Sequence, residues 1–163
     1  MARRRLTHVD ARRRPTMVDV GAKDVTQRVA LAEARIRLPR GVARALRASG
    51  HRTGKGPVFD TAIVAGVMAA KRTHELIPFC HPLGLEDCQI EIAPLASAEI
   101  AIRCRVSVHH RTGVEMEALT GAAVAALTVY DMCKALSHDI EIAQLRLLGK
   151  SGGRRPFARA AAG

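Results

Sequence analysis

The sequence predicts an α+β fold in which an antiparallel sheet carries its helices on one face, and two stretches of the chain carry that expectation. In residues 100–108 the apolar set Ile100, Ile102, Cys104, Val106 and Val108 alternates with Arg103, Arg105 and Ser107. Strict alternation of this kind belongs to an antiparallel strand with one covered face. Residues 112–134 instead read as one long helix whose middle, Leu119 to Tyr130, carries no charge. A helix apolar all round is expected to be buried all round.

The elements follow in order. Arg28 to Leu38 fits a strand, with alanines diluting the signal. Pro39 and Gly41 punctuate, and Val42 and Leu46 at helical spacing suggest a short helix ending by Gly50. HRTGKGP (51–57) reads as a loop, and Pro57 suits the first turn of a second helix running to about Ile77, before Pro78. A strand over Cys88–Ile92 alternates with Gln89 and Glu91. Thr112 and Glu115 have the capping-box spacing that would start the long helix, and a last strand is expected over Ile140–Leu148. The order βααββαβ points to a ferredoxin-like sandwich. At 163 residues the chain is read as a single domain, with 1–15 a basic mobile arm and 154–163 a frayed tail.

Composition narrows the function. The formal charge of +11 favours anionic partners, but aromatic content of 2% (Phe59, Phe79, Phe157 and Tyr130) argues against a base-stacking surface. The arginine triplets Arg3–Arg5 and Arg12–Arg14 are most simply a solvated arm. No apolar run is long enough for a membrane span, and no apolar segment follows the basic N-terminus as a secretory signal would require. The cysteines Cys80, Cys88, Cys104 and Cys133 follow no disulfide or zinc spacing, so reduced thiols in a cytoplasmic protein are expected.

Several residues invite chemistry. Lys55 lies between two glycines, where backbone could approach a phosphate, although a plain flexible loop explains it equally well. Lys71 borders the apolar stripe of Phe59, Ile63 and Val67, as a snorkelling side chain or a phosphate-facing one. Cys80 and His81 stand between prolines in IPFCHPL, where a held histidine could orient a substrate or move a proton. Glu117 lacks the capping role open to Glu115. Asp131, in the last turn of a helix whose dipole disfavours an acid there, sits three residues before Lys134. That spacing is usually a surface ion pair, yet a carboxylate and an ammonium in a partly desolvated cleft can exchange protons with a substrate.

MVDV (17–20), KGPVF (55–59), AAKRT (69–73), LIPFCHPL (76–83), TGVEMEAL (112–119), AALTVYDMCKA (125–135) and KSGG (150–153) together resemble the MoaC family, the cyclic pyranopterin monophosphate synthases of molybdenum cofactor biosynthesis. The likeness runs from Leu6 to about Gly153. It implies a ferredoxin-like fold assembled as a homo-hexamer, a trimer of dimers with sites at dimer interfaces. It implies a lyase that takes (8S)-3',8-cyclo-7,8-dihydroguanosine 5'-triphosphate from an upstream radical-SAM enzyme and releases pyrophosphate as it forms cyclic pyranopterin monophosphate. By this resemblance Asp131, Lys134 and Lys55 are catalytic, and Phe79, Cys80, His81, Met116 and Glu117 bind substrate. Lys71, Arg28 and Lys150 match basic positions near the triphosphate. No cofactor, metal, nucleic-acid or membrane partner is expected, with Mg²⁺ on the triphosphate left open. Pro57 departs from the family, which usually has an acid after KG. The competing expectation is a basic ferredoxin-like module that binds nucleic acid, which explains the charge but not the acids at the ends of the long helix.

Overall fold

The computed structural model describes residues 9–10 and 12–159. Among the described residues there are seven strands and four helices. They are β1 (Thr26–Arg37), α1 (Arg40–Ala48), β2 (Arg52–Thr53), β3 (Gly56–Pro57), α2 (Val58–Lys71), α3 (Thr73–Leu76), β4 (Asp87–Pro94), β5 (Glu99–His110), α4 (Glu115–Cys133), β6 (Glu141–Ser151) and β7 (Phe157–Ala158). The main sheet is antiparallel in the order β4-β5-β1-β6-β7. β5 is thus inserted between β1 and β4, the two strands that the α1–α2 crossover joins, and helices α2 and α4 lie on the sheet.

The alternation in β5 does what the sequence anticipates. Ile100, Ile102, Cys104, Val106 and Val108 are buried, with Ala30, Ala32, Ala34 and Ile36 of β1 beside them. The alanines let α4 settle close to the sheet through Ala118, Ala122, Ala125, Ala126 and Val129. Where α4 crosses α2 two glycines meet: a Cβ on Gly66 would stand 2.8 Å from the Gly121 carbonyl oxygen. α4 is not buried on every side, however. The sheet and α2 cover it, and Leu127 remains 57% exposed on the outer stripe. Val64 and Met68 on α2 are exposed as well.

Other expectations change in detail. The long second helix breaks at Arg72 (φ −113°, ψ 17°), because Thr73 Oγ1 donates back to the carbonyls of Ala70 and Ala69 at 3.0 and 3.4 Å. The loop at 51–57 is a small hairpin, β2–β3, in which Gly56 holds φ at +114°. His51 stacks on Phe59 with ring centroids 4.4 Å apart, tying the hairpin to α2. At the N-terminus Asp10 accepts from the Arg12 and Arg14 amides and pairs with the Arg14 side chain, closing a turn that Val9 and Pro15 bridge. Arg3–Arg5 lie outside the described residues. The 154–163 stretch, read as a frayed tail, includes β7, which pairs with Gly149 and Lys150.

On the sheet's open face Glu33 is 1% exposed and takes ion pairs from Arg35, Arg103 and Arg146 at 3.0–3.2 Å. Burial pushes its carboxyl upward, but the three guanidiniums outweigh that and hold it below its ordinary value.

Candidate active site

Two groups of polar side chains form, one at each end of α4. At the C-terminal end Asp131 carries the first. Its Oδ1 meets Lys134 Nζ at 2.7 Å and its Oδ2 meets Lys55 Nζ at 2.6 Å. Lys55 Nζ also donates to the Asp131 main-chain carbonyl at 2.9 Å, so the β2–β3 tip caps an unsatisfied carbonyl of the last helical turn. Pro57 does not prevent this reach. The acid that opposes the macrodipole is therefore explained by its cations: the bonds from Lys134 and then Lys55 lower its pKa to about 2. Asp131 in turn raises the Lys134 ammonium. All three side chains are about half exposed, so solvent reaches the ionised carboxylate and the two ammoniums beside it.

At the N-terminal end α4 starts at Glu115, after Val114 (φ −118°, ψ 25°), and no side chain caps it. The expected capping box does not form. Glu115 folds back over Gly113, but its carboxylate pairs with Lys150 of β6. An ammonium offers the stronger, charge-assisted bond. Two residues on, Glu117 is 4% exposed and turned toward a cleft of about 540 Å³. Burial, with the nearby Glu115 charge adding to it, raises Glu117 to about 7 against the bond from its own backbone amide.

Phe79, Cys80, His81, Met116 and Lys150 line the same cleft as Glu117. Phe79 and Met116 are 39% and 37% exposed, as apolar groups at a cleft mouth would be. The segment Ile77–Leu83 leaves α3 through two prolines, which hold Cys80 and His81 against α4's first turns. His81 Nε2 donates to the Val18 carbonyl at 2.9 Å. Val18 and Val20 are thereby strapped over the cleft. The Cys80 thiol is raised by burial and by Glu117, so it remains a thiol rather than a nucleophilic thiolate.

Arg28 lines an adjoining groove of about 700 Å³, where its Nε donates to the His110 carbonyl at 3.1 Å. Lys150 borders both spaces. Lys71 stands apart from both, exposed at the end of α2 on the side of Cys88. The residues grouped as catalytic thus meet one another, and most of those grouped as binding meet one another, but the two groups do not meet within one chain.

Sequence reasoning passed over Lys23 and Arg111, which line the groove, and the Glu115–Lys150 pair that borders both groove and cleft. Lys23 follows the MVDV block closely, the one signal that could have drawn attention to it.

The arrangement can hold an elongated anionic molecule with an apolar, hydrogen-bonding end against Glu117 and a charged end in the groove. A model of the MoaC family matches residues 17–153. The cyclic pyranopterin monophosphate synthase of Xanthomonas oryzae pv. oryzae (strain MAFF 311018) is 58% identical over 156 residues, covering 96% of this chain and 94% of its own length. The same-named protein of Xanthomonas axonopodis pv. citri (strain 306) is 57% identical over the same shares. Molybdenum cofactor biosynthesis protein 1 of Drosophila melanogaster is 49% identical over 94% of this chain, which matches 27% of that longer protein.

Proposed function

The chain belongs to the MoaC family, and from that premise we propose that it is a cyclic pyranopterin monophosphate synthase, a lyase of molybdenum cofactor biosynthesis. Its substrate is the cyclised dihydroguanosine triphosphate and its products are cyclic pyranopterin monophosphate and pyrophosphate. The observation that carries this reading is the cleft at the start of α4. There a nearly buried carboxyl of pKa about 7, an apolar mouth of Phe79 and Met116, and Lys150 adjoin a groove rich in cations.

The division of labour follows from the electrostatics. The groove binds phosphate; Phe79 and Met116 flank the ring system; Glu117 holds a proton close to neutral pH and can give it up or take it back. Asp131, Lys55 and Lys134 supply a fixed carboxylate and two ammonium donors. The rearrangement needs proton transfers and displacement of a phosphate, and these groups suit both.

One chain does not bring its two groups together. Fourteen residues of helix separate Glu117 from Asp131, ~21 Å at the helical rise, with ~40° between them in azimuth. Two copies of α4 packed antiparallel about a two-fold axis would set Glu117 of one beside Asp131 of the other. The exposed apolar side chains Leu127, Val64 and Met68 supply a surface for that contact. We take the assembly to be a dimer of this kind, repeated as a trimer of dimers into a hexamer. The strand order, with β5 between β1 and β4, supports the ferredoxin-like reading. A cytoplasmic setting and a radical-SAM enzyme supplying the substrate complete the proposal.

The decisive measurement is pyrophosphate release from the cyclised nucleotide by the purified chain. No release, together with salt-dependent binding of random oligonucleotides, would favour a nucleic-acid module instead. The shared site has its own test in mixed oligomers of Glu117→Ala and Asp131→Asn, each inactive alone. Unfolding and refolding them together should restore activity, because a mixed dimer contains one site with both native groups. Activity that stays absent despite demonstrated subunit exchange rejects the shared site.

A further inference from the structure

Beyond residue 153, where the family match ends, the chain doubles back instead of leaving the molecule. Phe157 and Ala158 pair with Lys150 and Gly149, and the Arg159 amide donates to the Leu148 carbonyl at 2.7 Å. The Arg159 side chain adds a bond to the Leu147 carbonyl at 3.1 Å. The turn between β6 and β7 is pinned at its other end too. Thr26 Oγ1 donates to the Gly152 carbonyl at 2.6 Å, and Gly152 holds φ at +86° with no room for a Cβ against the Gln27 carbonyl. Arg154 and Arg155 sit in this anchored turn and line the groove of about 700 Å³.

The groove they complete is cationic. Lys23, Arg28, Arg111, Lys150, Arg154 and Arg155 face it, against Asp24 and Glu115. Lys150 is committed to Glu115. Arg28 and Arg111 spend their Nε donors on backbone carbonyls of His110 and Lys23, which orients the guanidiniums without neutralising them. Arg154 and Arg155 make no ion pair with any described residue. Groove and cleft adjoin, sharing Lys23, Thr112, Gly113, Glu115 and Lys150 as lining. A molecule whose ring lies against Glu117 would therefore extend its phosphates under this turn.

We propose that Arg154 and Arg155, with Lys23 and Arg111, form the binding site for the diphosphate end of the substrate and hold it as it departs as pyrophosphate. This rests on the functional reading above and assigns binding residues to its site. Guanidinium forks suit this task, since they meet phosphate oxygens in pairs and carry charge at any working pH.

The test uses inorganic pyrophosphate as the probe and the full chain as the protein. Titration calorimetry at ~0.1 M ionic strength should show pyrophosphate binding that weakens roughly tenfold or more in the Arg154→Ala/Arg155→Ala double variant. With the cyclised nucleotide the same variant should raise KM by a comparable factor. The Arg154→Lys/Arg155→Lys variant should recover much of the affinity, which a merely disrupted turn would not explain, and thermal unfolding of each variant reports the state of β7. Unchanged pyrophosphate affinity in the alanine variant overturns the site, whatever turnover shows. Arginine-dependent pyrophosphate binding in a chain that does not turn over the nucleotide would uphold the site and reject only the functional reading.

Discussion

Replacing Glu117 by Gln removes one ionisation from the interior, and the consequence for stability can be worked from the structure. The carboxyl has a pKa of about 7 in the folded chain against an ordinary 4.5, burial being the main cause. Below pH 4.5 it is protonated whether the chain is folded or not, so it costs nothing. Between 4.5 and about 7 the unfolded chain releases the proton while the folded chain keeps it, and native stability falls as pH rises. Above 7 the penalty is complete, because the linkage slope follows the difference in bound protons. A rise of this size corresponds to roughly 3 kcal/mol, and water in the cleft reduces that to about 1–3 kcal/mol. At roughly 2–4 °C per kcal/mol for a chain of this length, Glu117→Gln should gain several degrees in Tm over the native protein between pH 5 and pH 8. The measurement is thermal unfolding of both proteins across that range, at one protein concentration because any self-association would also shift Tm. The difference between the two curves isolates Glu117, since every other group titrates in both. Parallel curves would refute the buried, proton-holding carboxyl and with it the role given to Glu117.

Asp131→Asn should lower turnover by roughly 10²–10⁴-fold while lowering Tm only slightly at neutral pH, since solvent screens a half-exposed ion pair. The native protein should also lose a stabilising contribution, present above pH 3.8, as pH falls toward about 2; the Asn variant should lack that dependence in acid unfolding. Gly152→Ala should be destabilising by about 1–3 kcal/mol or more, because its Cβ would fall 1.6 Å from the Gln27 carbonyl oxygen at φ +86°. It should weaken pyrophosphate binding as the turn shifts. Gly54→Ala, with nothing within 4 Å, is the matched control, and equal melting temperatures for the two variants would contradict the packing of the β6–β7 turn.

What could be read in the sequence is what local periodicity and short spacing control. The alternation of β5 announces both its strand and its buried face, and Asp131 with Lys134 is a pair one helical turn apart. The errors arise where a distant residue outbids a local one. Glu115 has the spacing of a capping box, but Lys150, 35 positions later, takes its carboxylate. The second helix looks continuous through Arg72 until Thr73 turns its hydroxyl back on the preceding turn. β7 is two residues long and exists only because β6 offers an edge, so no pattern in RRPFA could announce it. Glu33 sits in a strand as one acid among arginines, and only the register beside Arg103 and Arg146 explains its burial. The groove is hidden for a related reason. In a chain of charge +11, Lys23 and Arg111 look like any other solvated cation until the fold sets them around one space.

Glu117 and Asp131 illustrate how one helix can hold opposite protonation states. Glu117 is shut away from solvent beside another carboxylate, Glu115, whose own ion pair is with Lys150. Asp131 stands in solvent between two ammoniums, and its pKa is driven to about 2 while that of Glu117 is driven to about 7. Environments that push two titratable groups apart are how acid and base roles are divided at neutral pH. A carboxyl that holds a proton and a carboxylate that never does are of use to one reaction only if they face the same substrate. The helix that creates the contrast also keeps its ends ~21 Å apart, too far for one small centre. In the proposed dimer a second copy of the helix runs the other way, and its Asp131 cluster would close the cleft that Glu117 opens.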